Sequence, residues 1–194
     1  MNKGQDRKTK HYGDTITINN EVLRINSGID KGIYVEIIER MVSQLDIALA
    51  IHKRLLVCRI DLHTTYFSKD NKIISKYLNR TKQWIRRNYN IKNIGHIWVR
   101  EQQRSKKQHY HLALFIDGDK IRYPAKLLRQ LKEMWLPLGY MPTIKNPYYF
   151  IDKHNKEEMR GEAIYRVSYL AKTRTKRYRD PQVKDYQTSR LKLN

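Results

Sequence analysis

The chain has 194 residues and a mass of 23.5 kDa, the size of one domain. Forty Lys and Arg against nineteen Asp and Glu leave a net charge of +21, too basic for an ordinary metabolic enzyme and suited to a polyanion, nucleic acid first. The single cysteine, Cys58, excludes a disulfide framework, no apolar run reaches the ~18 residues of a membrane span, and no Gly-x-x-x-x-Gly-Lys-[Ser/Thr] loop suggests a nucleotide cofactor or a motor.

Residues 1–30 are polar and rich in Asn and Gly and read as an N-terminal arm, with one weak strand at Thr15-Ile16-Thr17-Ile18. The start of the chain is charged and carries no apolar secretory segment, so the expected location is the host cell cytoplasm. Ile33, Ile37, Met41, Leu45 and Leu49 set a helical period over residues 33–53. Alternation of Leu56, Cys58, Ile60 and Leu62 with Val57, Arg59, Asp61 and His63 predicts a strand over 54–65. A second helix is expected over 70–90, and two strands over 94–103 and 108–117, joined by Arg104-Ser105-Lys106-Lys107. Pro124 opens a third helix that stops near Pro137, residues 140–152 are strand-rich, and 157–172 form a fourth helix. Beyond it, residues 177–194 read as a solvated basic tail. The pattern is α+β, with residues 31–176 as the folded domain. Lys106, Lys107, Arg174, Lys176 and Arg177 are the expected phosphate contacts.

His109-Tyr110-His111 is the sharpest local feature. Two histidines at i and i+2 on a strand share a face, and Tyr110, Leu112 and Leu114 turn the other way into a core. A hairpin turn near Ser105 or Lys106 sets Glu101 opposite His109 or His111, on that same face. Two imidazoles and a carboxylate on adjacent strands can hold a divalent ion with open positions, and the mixed N/O set suits Mn²⁺ or Mg²⁺ better than a structural zinc. The plain alternatives are two surface histidines on a basic strand and a salt bridge from Glu101 to Arg100 or Arg104.

On the fourth helix Tyr165, Tyr169 and Lys172 stand at i, i+4 and i+7, on one stripe. A tyrosine attacks at neutral pH only with help, and a lysine one turn away can favour the phenolate or neutralise a pentacovalent phosphate. Tyr-x-x-Lys also occurs at Tyr66, Tyr89 and Tyr123, but only Tyr169 falls mid-helix in this reading, with a second tyrosine one turn earlier.

In that order, Glu101, His109-Tyr110-His111 and Tyr165-x-x-x-Tyr169-x-x-Lys172 resemble the HUH endonucleases. Histidines before tyrosine is the order of the rolling-circle replication initiators. Arg59-Ile60-Asp61-Leu62-His63, Trp98-Val99-Arg100-Glu101 and His109 through Phe115 are similar to the inovirus-type gene-two replication proteins, and the paired tyrosines to the microvirus gene A initiator. The resemblance implies an HUH/RRM-like antiparallel sheet of four or five strands with flanking helices, the tyrosine helix lying over the metal face. It implies an enzyme that nicks and rejoins single-stranded origin DNA through a 5′-phosphotyrosine, with a host helicase as partner. Tyr169, which has Lys172 three residues on, is the expected first nucleophile, and Tyr165 is either a second nucleophile or a packing or base-stacking residue. It gives Asp61 or His63 either a place in the metal shell or a DNA contact beside Arg59, against the plain reading that Asp61 only pairs with an arginine. The competing readings are a small tyrosine HUH transposase, disfavoured by the second tyrosine, and a non-catalytic basic DNA-binding regulator.

Overall fold

The computed structural model describes residues 9–27, 32–102, 107–173 and 183–193. In chain order these form β1 (Lys10–His11), β2 (Thr15–Ile18), β3 (Glu21–Arg24), β4 (Ile33–Tyr34), α1 (Val35–Ile51), β5 (Leu55–Thr64), α2 (Lys72–Tyr89), β6 (Gly95–Gln102), β7 (Gln108–Asp117), α3 (Pro124–Trp135), β8 (Gly139–Tyr140), β9 (Tyr148–Ile151), α4 (Lys156–Ser168), a 3-10 turn (Tyr169–Ala171) and β10 (Tyr186–Thr188). The class is α+β, and the strand pairings are antiparallel. Among the described residues no helix is long and apolar enough to cross a membrane.

Among the described residues the main sheet has six strands, one more than the upper expectation. Its order is β10-β6-β7-β5, after which β8 and β9 share the remaining edge of β5. β5 is buried along nearly its whole length because helices cover both faces of the sheet. On one face Leu56, Cys58, Ile60, Leu62, Tyr110, Leu112 and Leu114 pack against α2 and α3. On the other, Leu55, Val57, Ile97, Val99, Ala113 and Phe115 pack against α1 and α4. Along this second face the same alternation carries on past the apolar block into Arg59, Asp61, His63, Glu101, His109 and His111, so the core ends in a patch of ionisable groups.

Two sequence expectations are corrected at the termini. The described part of residues 1–30 is not an irregular arm. β2 and β3 form a hairpin turned by Asn19 and Asn20, both at positive φ (51° and 64°), as a tight two-residue hairpin requires. Ile16, Ile18, Leu23 and Ile25 enter the core, and Arg160 of α4 bonds both Glu21 and Asp46, tying hairpin, α1 and α4 together. Nor is the described part of 177–194 a solvated tail. β10 extends the main sheet on β6, Asp185 and Ser189 are buried, and the Gln44 carboxamide oxygen accepts from the Ser189 hydroxyl and the Leu191 N–H.

His96 on β6 supplies a stability prediction. It is 5% exposed, and burial, reinforced by the Lys82 charge, lowers its pKa from 6.5 to about 3. The unfolded chain therefore takes up this proton first as pH falls. The contribution is complete above pH ~6.5 and is lost below it, about 2 kcal/mol by pH ~5. Urea unfolding is expected to show this slope, and His96→Gln to flatten it. The difference between the two curves isolates His96 from His63 and His111; identical slopes would show that His96 is not the source.

Candidate metal centre

The β6–β7 hairpin sets Glu101 directly opposite His109, and the β5–β7 pairing sets Asp61 opposite His111 and His63 opposite His109. Cross-strand partners share a face, so these groups converge. One atom each of Glu101, His109 and His111 lie within 4.8 Å of one another, a set that could hold a metal ion. Glu101 Oε2 stands 3.2 Å from His109 Nε2 and 3.3 Å from His111 Nε2.

The donor chemistry fits a divalent ion. His111 Nδ1–H donates to Asp61 Oδ1 at 2.7 Å, an assignment made from the network. That bond leaves Nε2 facing Glu101, buried and close to a carboxylate oxygen, yet without hydrogen-bond geometry. A buried nitrogen held in this way by an outer carboxylate is the usual setting of a histidine ligand. Burial works against charge on His111, but the Asp61 and Glu101 carboxylates together outweigh it and raise its pKa. For Asp61 too, burial is the largest single influence and is overcome, by His111 and Arg59, which bring its pKa down to about 2. Asp61 thus has the arginine partner of the plain reading, with Arg59 Nη2 at 3.1 Å, and a second partner the sequence reading did not offer, His111. It lies behind the His111 ring and outside the three-residue set.

His63 stacks on His109 with centroids 5.0 Å apart. Burial first, then the neighbouring His109 and His111, lower its pKa, with Asp61 opposing.

Tyr169 meets this cluster. Its ring lies edge-on to His111, centroids 5.4 Å apart, beneath the Arg59 guanidinium at 4.3 Å and the Lys172 ammonium at 4.4 Å. It is not mid-helix, as the sequence suggested. α4 ends at Ser168, Tyr169 opens the 3-10 turn, and Lys172 is already extended, bridging to Ile33. Buried Leu170 and Ala171 anchor the turn, the Ser168 hydroxyl accepts from Asn26 N–H, and Lys172 Nζ donates to Asn26 Oδ1 at 3.0 Å. Burial, then the Glu101 charge, raises the Tyr169 pKa, and Arg59 only partly offsets them. The lysine sits over the ring face. Tyr165 points into different company: the Arg24 guanidinium covers its ring at 4.5 Å.

Of the expected phosphate contacts, Lys107 is exposed just before β7. Lys106, Arg174, Lys176 and Arg177 lie outside the described residues. A cleft of about 560 Å³ between α1 and β10, lined by Arg40, Lys184, Arg190 and Lys192, is a cationic feature the sequence reading missed. Asn26 and Tyr140 were missed as well; neither carries a local motif.

A family model for the YagK/YfjJ C-terminal domain matches residues 19–184. The chain belongs to that family. No curated protein sequence matches it. The family span begins in the β2–β3 turn and ends before β10, so it holds the whole ionisable cluster, Tyr169 and Lys172.

Proposed function

We propose that this member of the YagK/YfjJ C-terminal domain family is a metal-dependent single-strand DNA endonuclease and ligase of the HUH type, acting through Tyr169 to start rolling-circle replication of phage or plasmid DNA. The observation that carries the reading is the meeting of Tyr169 with the Glu101/His109/His111 set. A DNA-binding regulator needs the charge of +21 but has no use for a tyrosine ring held against a metal-type triad by two cations.

Glu101, His109 and His111 would hold Mn²⁺ or Mg²⁺, which supplies Lewis-acid polarisation of a phosphate oxygen. Asp61 orients His111 through Nδ1 and is itself fixed by Arg59. The Tyr169 oxygen attacks phosphorus, a new P–O bond to the tyrosine forms, and the bond to the 3′ oxygen breaks. The phenol proton is released and the departing 3′ oxygen gains one. The products are a free 3′-OH, which can prime synthesis, and a 5′-phosphotyrosine; attack by a 3′-OH reverses the step and rejoins the strand. Arg59 and Lys172, both over the Tyr169 ring, are the cations that would offset negative charge growing on the phosphate. In the metal-free protein Tyr169 is held as the neutral phenol largely by burial and by Glu101.

The test is incubation with single-stranded DNA and Mn²⁺, followed by a denaturing gel. A covalent adduct that chelator prevents is the expected result. DNA binding with no adduct under any divalent ion would leave the regulator reading in its place.

A further inference from the structure

The row of side chains that runs from Glu101 to His109 continues across two more strands. His63 on β5 pairs opposite His109, and Tyr140 on β8 pairs opposite His63. Their rings form a continuous stack. His63 and His109 lie 5.0 Å apart with planes 7° from parallel, and His63 and Tyr140 lie 4.6 Å apart at 18°. The Tyr140 hydroxyl contacts His63 Nδ1 at 3.1 Å and fixes the last ring. β8 can approach this closely because residue 139 is glycine: a Cβ there would overlap the His63 carbonyl. One face of Tyr140 is taken by His63, yet the residue is 55% exposed, on a strand at the border of the sheet.

We propose that this stack is a nucleobase site: an unpaired base close to the phosphate held at Glu101, His109 and His111 lies on the free face of Tyr140. The inference rests on the single-stranded DNA reading above and adds to it the group that positions the strand. An aromatic face accepts any base, because every base has a π face, and such stacking is a main source of single-strand affinity. The two centroid separations place Tyr140 no more than about 10 Å from His109, a span of about three stacked nucleotide steps of ~3.4 Å. The stack therefore connects the metal-type cluster to a solvent-facing platform with no gap between rings. The high positive charge of the chain favours a nucleic acid strand over an acyl or peptide group as the occupant.

The full chain, in excess chelator so that no cleavage occurs, is titrated with single-stranded oligonucleotides carrying 2-aminopurine at successive positions. One position is expected to be quenched by the wild-type protein. Tyr140→Ala loses that quenching and binds about 5- to 150-fold more weakly, while Tyr140→Phe keeps both. An abasic site at the same position weakens wild-type binding to the Tyr140→Ala level and leaves the variant unchanged. That last comparison stands whether or not the variant alters folding elsewhere, and circular dichroism checks the fold directly. Tyr140→Ala binding like wild type at every position, or an abasic site weakening both proteins equally, overturns the stack. A wild-type protein that binds no single strand overturns the proposed function with it; intact binding without a Tyr140 effect overturns the stack alone.

Discussion

Tyr169→Phe is expected to remove the covalent DNA adduct, with a loss of at least about 10³-fold in the rate of its formation. Phenylalanine keeps the ring that lies against His111 beneath Arg59 and Lys172 and deletes only the phenol oxygen, the proposed nucleophile. Metal affinity and single-strand affinity are therefore expected to stay near wild type. Tyr165→Phe serves as the comparison. Tyr165 is four residues earlier and is covered by Arg24, so its variant is expected to form the first adduct normally. A gel assay over a time course checks both variants. An adduct that survives Tyr169→Phe and fails with Tyr165→Phe would reverse the assignment.

The second large effect concerns the triad. His109→Ala with His111→Ala removes two of the three donors and is expected to weaken Mn²⁺ binding by more than about 100-fold and to abolish nicking. Binding to DNA is expected to persist, because affinity for phosphates comes from the lysines and arginines spread over the surface. Asp61→Asn separates orientation from ligation: it keeps the size of the side chain but loses the carboxylate that fixes the His111 tautomer. It is expected to cost about 10- to 100-fold in metal affinity. Calorimetric titration with Mn²⁺ reads both. Unchanged Mn²⁺ affinity in the double variant would remove the metal assignment altogether.

How much of this was legible in the sequence follows from the range of the interactions involved. Most of the helices and β5, β6 and β7 carry clear apolar periods, and apart from the end of α4 their expected bounds lie within a few residues of those observed. The triad was legible for the same reason: a short hairpin fixes the register of Glu101 against His109 with no distant partner needed. β10 was not. It is three residues in a basic stretch, and what makes it a strand is pairing with β6, nearly ninety residues away. The β2–β3 hairpin did leave a mark, the Asn19-Asn20 pair that tolerates positive φ, but its polar, exposed side hid the isoleucines facing the core. The end of α4 was hidden because Leu170 and Ala171 continue the apolar pattern of the helix while the backbone tightens into the 3-10 turn. The same change carries Lys172 off the helix, where Asn26 from the supposed arm holds it beside Tyr169. Tyr140 and His63 meet only through the β5–β8 pairing, so spacing along the chain says nothing of their stack.

The central claim is that Tyr169 forms the phosphodiester link to DNA, and the chain offers a direct reading of it. Trypsin cuts after Arg166 and Lys172, so Tyr169 leaves on the peptide spanning residues 167–172 and Tyr165 on the one spanning 161–166. After incubation with single-stranded DNA and Mn²⁺, nuclease trimming and digestion, mass spectrometry is expected to find nucleotide on the 167–172 peptide, joined through a 5′-phosphate, and only when the divalent ion was present. Nucleotide on the 161–166 peptide alone, on another peptide, or on none at all would contradict it.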